Sequence, residues 1–155
     1  MELKDYILAK ALWNPDIDPD EITNRFLDNF YGFGAAAVKT YMAAMEQGIN
    51  ATNYYMHESF DVDAPFLTPA LVLKSARAFT KALGGASSSA GVRFVRRLEH
   101  AEMPIMYVVL FRWDEMRAAE SGSLWPYNAT KRPQFNEFKR ASTGSEPVPL
   151  SSSEP

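Results

Sequence analysis

The feature that most constrains this chain is the break at Trp13-Asn14-Pro15 and the restart at Asp18-Pro19-Asp20-Glu21. Upstream of the break, Leu3, Tyr6, Ile7 and Ala11 fall on one stripe with Lys4 and Asp5 off it, which predicts a helix over residues 2–12. Pro15 lacks an amide hydrogen and disfavours helical geometry at Asn14, so the helix has to stop there. It restarts almost at once. Asp18 suits the N-cap, Pro19 the first helical position, and Glu21 stands where it can complete a capping box. Ile22, Phe26 and Phe30 then recur at four-residue spacing over residues 19–31, and Gly32 supplies a C-terminal stop. Two helices joined by so short a link pack as neighbours.

The same signals continue downstream. Val38, Tyr41, Met42 and Met45 predict a third helix over 35–47, ended by Gly48. Residues 49–67 are irregular and polar. Thr68 as N-cap and Pro69 in the first turn open a fourth helix, lined by Val72, Ala76, Phe79 and Leu83 and closed by Gly84-Gly85. Phe94, Leu98, Ala101, Ile105 and Val108 predict one long fifth helix over 87–120, kinked at Pro104. The run Tyr107-Val108-Val109-Leu110-Phe111 would also suit a buried strand. Helix is the reading kept, because Arg112, Glu115 and Arg117 continue the pattern and no second strand candidate exists to pair with it. Trp125-Pro126-Tyr127 lies in a loop, and a short helix over 133–141 would turn Phe135 and Phe138 inward. After Ser142 only Val148 and Leu150 are large and apolar, which predicts a disordered tail. The expected fold is therefore all-α: about five main helices in an antiparallel, bundle-like array over 1–141, followed by a disordered tail over 142–155.

Composition narrows the function classes. A chain of 155 residues with 46 % hydrophobic residues can bury the core of one domain. With 16 basic and 19 acidic residues the net charge is −3, which gives no general attraction to nucleic acid or anionic lipid. The longest apolar run, Met103–Phe111, is nine residues, against the roughly 20 that a membrane-spanning helix needs. No signal-peptide pattern precedes the first helix, which carries Glu2 and Asp5. Absent cysteine excludes disulfides and thiolate metal sites, and two histidines exclude a His-rich one.

The stretch Leu12-Trp13-Asn14-Pro15-Asp16-Ile17-Asp18, with Phe26, Phe30-Tyr31-Gly32 and Ala35-Ala36 after it, resembles the C-terminal part of a glycoside-hydrolase-like family, a domain of unknown function related to α-glucuronidases and to β-hexosaminidase-like barrel enzymes. Thr68-Pro69-Ala70-Leu71 and the run from Pro104 to Leu110 sit where that pattern would place them, so the resemblance extends over roughly residues 3–140. It implies that a substrate-binding barrel and its acidic catalytic residues lie upstream, and that Trp13, Asn14 and Pro15 form a structural junction between barrel and helices. It transfers no catalytic residue to this chain. The first helix starting at Met1 fits a segment cut from something larger.

The candidate chemical groups are few. Glycoside hydrolysis needs two carboxylates about 5–10 Å apart across the scissile bond. Asp61 and Asp63, near His57 and Glu58, could contact a sugar or a hard cation, although a solvated polar loop explains them as well. His57-Glu58 does not extend to a zinc motif, because position 61 is Asp. Gly32-Phe33-Gly34-Ala35-Ala36-Ala37 loosely matches a dinucleotide fingerprint, but a helix rather than a strand precedes it, so a helix–helix turn is the reading. Arg93, Arg96, Arg97 and His100 share one side of the fifth helix, with Glu99 and Glu102 nearby, which suits a solvated face with local ion pairs. Trp125 and Tyr127 could stack on a sugar ring or pack over helix ends. The sequons at Asn50 and Asn128 matter only in a secretory pathway.

These residues imply no cofactor and no metal. Two functions from different classes follow. One is a non-catalytic helical C-terminal region of a glycoside-hydrolase-like carbohydrate-active protein, packed against an upstream barrel, with Trp125, Tyr127 and Asp61 as sugar-contact candidates. The alternative is a free-standing α-helical protein–protein interaction module. On the first view Tyr6, Ile7, Ala11 and Trp13 present more apolar surface than a terminal helix usually leaves in water, so the chain alone is expected to self-associate through its first helix.

Overall fold

In a computed structural model of the chain, the described residues are 2–55, 61–86, 91–120 and 125–127. They form six α-helices: α1 (Glu2–Trp13), α2 (Pro19–Tyr31), α3 (Ala35–Thr52), α4 (Pro69–Gly84), α5 (Val92–Phe111) and α6 (Trp113–Ala119). A single 3-10 turn, Gly32–Gly34, joins α2 to α3. No strand occurs among the described residues, so the fold is all-α, and the run Tyr107–Phe111 is helical. The expected helix over 133–141, the tail over 142–155, and His57 and Glu58 lie outside the described residues.

Local chemistry sets most of the boundaries. α1 ends at Trp13, and the amides of Asp16 and Ile17 then turn back onto the Asn14 side-chain and backbone oxygens, at 3.2 and 3.4 Å. Asp18 caps α2 through a 2.9 Å bond from the Asp20 amide, with Pro19 in the first turn. The reciprocal half of the capping box does not form. The Glu21 carboxylate pairs instead with Arg25 one turn on, an i,i+4 partner on the exposed face. Gly32 ends α2 with φ 54°, a backbone angle that a side chain would disfavour. Thr68 caps α4 by accepting from the Leu71 amide at 3.3 Å.

Two expected boundaries differ, each for a tertiary reason. α3 does not stop at Gly48 but runs to Thr52, and left-handed Asn53 (φ 50°) ends it. Gly48 is there for clearance. A Cβ on it would lie 2.6 Å from the Leu71 side chain and 3.2 Å from the Phe66 carbonyl, so the glycine lets α3 and the start of α4 cross closely. The expected single helix over 87–120 is two helices. The ladder breaks at Arg112 (φ −102°, ψ 36°), between α5 and α6, while α5 continues through Pro104.

α4 is the central element, packed against both α3 and α5. α2 touches α1, α3 and α5, and α6 lies across α4 and α5. The interior divides into two clusters. One gathers Ala64, Phe66 and Leu67 with Val72, Leu73 and Ala76 of α4, Ile105, Val108 and Val109 of α5, and Trp113 and Met116 of α6. The other joins Leu27, Ala35, Ala37 and Val38 to Phe79 and Leu98. Ser75, fully buried in α4, is satisfied by donating to the Leu71 carbonyl at 3.0 Å. Arg97 ties α5 to the end of α2: its guanidinium lies 3.9 Å from the Phe30 ring centre and donates to the Phe30 carbonyl at 2.9 Å.

Candidate functional site

α1 is unlike the other long helices, because none of its described side chains is buried. Leu3, Tyr6, Ile7 and Ala11, the stripe expected from the sequence, lie half-buried. α1 packs on α2, where Tyr6 meets the Phe26 ring with centroids 5.2 Å apart. Three further apolar side chains of α1 stand in water. Leu8 is 50 % exposed, Leu12 87 % and Trp13 90 %. This corrects the expectation for the first helix: of Tyr6, Ile7, Ala11 and Trp13, only Trp13 belongs to the bare face. The first three already have partial cover, since α2 restarts beside them. Leu8 and Leu12 are the residues the single-stripe reading missed, and their i,i+4 spacing was the available signal.

Leu8, Leu12 and Trp13 stand off the stripe that α2 covers, among the charged Lys4, Asp5 and Lys10. Here the cover comes from one side only. Next to it, the junction residues Asn14 and Pro15 are exposed, with Asn14 spent on its own turn. The bare row and the junction thus form one continuous segment, residues 8–15.

The other sequence candidates lie elsewhere. Asp61 closes a small loop: its carboxylate accepts from the Tyr54 hydroxyl at 3.2 Å and from the Asp63 amide at 3.0 Å, and its carbonyl from the Ala64 amide at 3.3 Å. Partial burial, then the hydrogen bond and negative charge of Asp61, raise the Tyr54 phenol above its usual 10. The loop is held by a residue that sequence reading took only for a helix former. Arg112, at the α5–α6 break, donates to the Leu67 carbonyl at 2.8 Å and the Val62 carbonyl at 3.2 Å. It also grips both Glu115 oxygens at 2.8 and 2.6 Å, a bidentate pair whose i,i+3 spacing is legible once Arg112 is known to sit at a break. Hydrogen bonding to Glu115 raises the guanidinium further above its usual value, and the same bonds hold the Glu115 carboxyl below its usual value.

Trp125 and Tyr127 are half-buried, the first against α6 and the second against the middle of α5. Trp125 meets Trp113 edge-on at 5.3 Å, and the Arg117 guanidinium lies 4.8 Å from its ring centre. The Tyr127 hydroxyl donates to Glu102 of α5, itself 3 % exposed, at 2.8 Å. Trp125 and Tyr127 meet edge-on with ring centroids 6.5 Å apart, while Asp61 is engaged with Tyr54, Asp63 and Ala64 instead. The glycine fingerprint is the α2–α3 turn, with a helix on each side. On α5, Arg93, Arg96 and His100 are exposed while Arg97 is spent on Phe30. Among the described residues, no three acidic or histidine side chains are placed to hold a metal ion, and no helix is long and apolar enough to cross a membrane.

A cleft of about 270 Å³ opens between α3 and α5, lined by Tyr41, Met45, Ile49, Phe66, Pro104 and Val108 among others. Its lining is almost wholly apolar, and burial raises the Tyr41 phenol above 10.

No curated protein and no solved structure gives a significant match to this chain. Its first 43 residues, which hold α1, the junction, α2 and the first half of α3, match the profile of a family described as a domain of unknown function, DUF4838.

Proposed function

We propose that this chain is the non-catalytic helical C-terminal region of a glycoside-hydrolase-like, carbohydrate-active protein, and that residues 8–15 form its seat against an upstream barrel. The observation that carries the reading is α1: a helix with an apolar stripe on α2 and three further apolar side chains, Leu8, Leu12 and Trp13, in water. The junction Trp13-Asn14-Pro15 lies within the stretch that resembles the glycoside-hydrolase-like family and within the matched residues. A bare row of this kind amounts to a few hundred Å² of apolar surface. At roughly 25 cal/mol per Å², covering it favours association by several kcal/mol before entropy is counted. The acidic machinery of hydrolysis belongs to the barrel in this reading. Asp61, Trp125 and Tyr127 would do no more than edge a sugar-binding cleft.

The second reading, a free-standing helical interaction module, draws on the two buried clusters, which give the chain a core of its own. The same surface distinguishes the two. In a sedimentation series over increasing concentration, the isolated chain is expected to self-associate through the bare row. Leu12→Glu and Trp13→Ser should each shift the association to at least several-fold higher concentration. A chain that stays monomeric at high concentration, whatever stands at positions 12 and 13, would remove the need for an upstream partner and leave the module as the better account.

A further inference from the structure

We draw no further inference here: the strongest candidate, the apolar cleft of about 270 Å³ between α3 and α5, carries nothing, because nothing among the described residues shows what covers it.

Discussion

α1 and α4 are helices of similar apolar character with opposite fates. In α4 the apolar residues gather on a face that meets two other helices, and Val72, Ala76 and Phe79 are entirely withdrawn from water. In α1 they are spread around the helix, so α2 covers one side and the other stays bare. The lesson concerns where stability and association reside. Side chains of α4 hold this chain together, whereas the outer side chains of α1 contribute little until something lies against them. Proteins seldom leave a leucine and a tryptophan nine-tenths exposed on adjacent positions of a helix unless the surface has a use.

The sharpest way to break that comparison is to truncate one residue from each side. Phe79 joins α4 to the cluster of Leu27, Val38 and Leu98 and is fully buried, so Phe79→Ala should lose about 3–5 kcal/mol of unfolding free energy. Trp13→Ala should change the stability of the monomeric chain by no more than about 0.5 kcal/mol, as an exposed side chain does. Urea unfolding at low protein concentration measures both, and equal losses would mean that α1 is as integral as α4.

The crossing of α3 with α4 sharpens the comparison next. Gly48→Ala improves intrinsic helix propensity by about 1 kcal/mol, yet it puts a methyl group 2.6 Å from Leu71 and near the Phe66 carbonyl. Overpacking of that kind costs about 1–3 kcal/mol, so the net effect should be a loss. The clash with Leu71 is with a side-chain end, so Leu71→Ala in the Gly48→Ala background should recover part of it. A double-mutant cycle with no coupling would show that Gly48 is not a clearance residue.

Arg112 offers a test of similar or smaller size. Arg112→Met keeps length and apolar stem but leaves the Val62 and Leu67 carbonyls without their donor, for a loss of about 1–3 kcal/mol. The substitution should also alter the acid limb of stability. The folded Glu115 carboxyl lies below its unfolded value, so its contribution is present above the usual carboxylate range and lost as pH falls through the folded pKa. Half of the Glu115 side chain is exposed, so this component is small and weakens with salt even though the Arg112 side chain is largely covered. Stability followed from pH 7 to pH 3 should therefore fall less steeply in Arg112→Met than in the parent chain, and parallel curves would contradict the assignment.

The smallest stability effect belongs to Leu12→Glu. It should leave the thermal midpoint of dilute protein almost unchanged while weakening concentration-dependent association, because it touches the bare row alone. A large drop in midpoint would place Leu12 in the fold rather than on its surface.

The position of each part of the molecule in sequence explains how legible it was. The starts of α2 and α4 could be read from Asp18-Pro19 and Thr68-Pro69, because a cap is a bond between residues two or three apart. Helix over strand at Tyr107–Phe111 followed from the continuing charged pattern. By contrast, Gly48 looked like a terminator and is a clearance residue. Arg112 looked like one more helix former and is the clasp between a break and the loop before α4. In both cases the deciding partner is distant in sequence, Leu71 for one and Leu67 for the other. For the candidate site, Trp13 and its junction were legible from the proline break. The assignment of Tyr6, Ile7 and Ala11 to the bare face was not correct, because one apolar stripe does not say which neighbour takes it.

The amino-acid sequence by itself therefore determined that this protein is helical and where the cap-defined ends of α2 and α4 fall, since caps, breakers and the 3.6-residue repeat act over a few residues. Only the tertiary structure decided how long α3 runs, where α5 gives way to α6, and which face of α1 is left in water. Those outcomes depend on which side chains meet across the fold, and an apolar residue is equally content beside any neighbour that excludes water, since hydrophobic burial is non-directional.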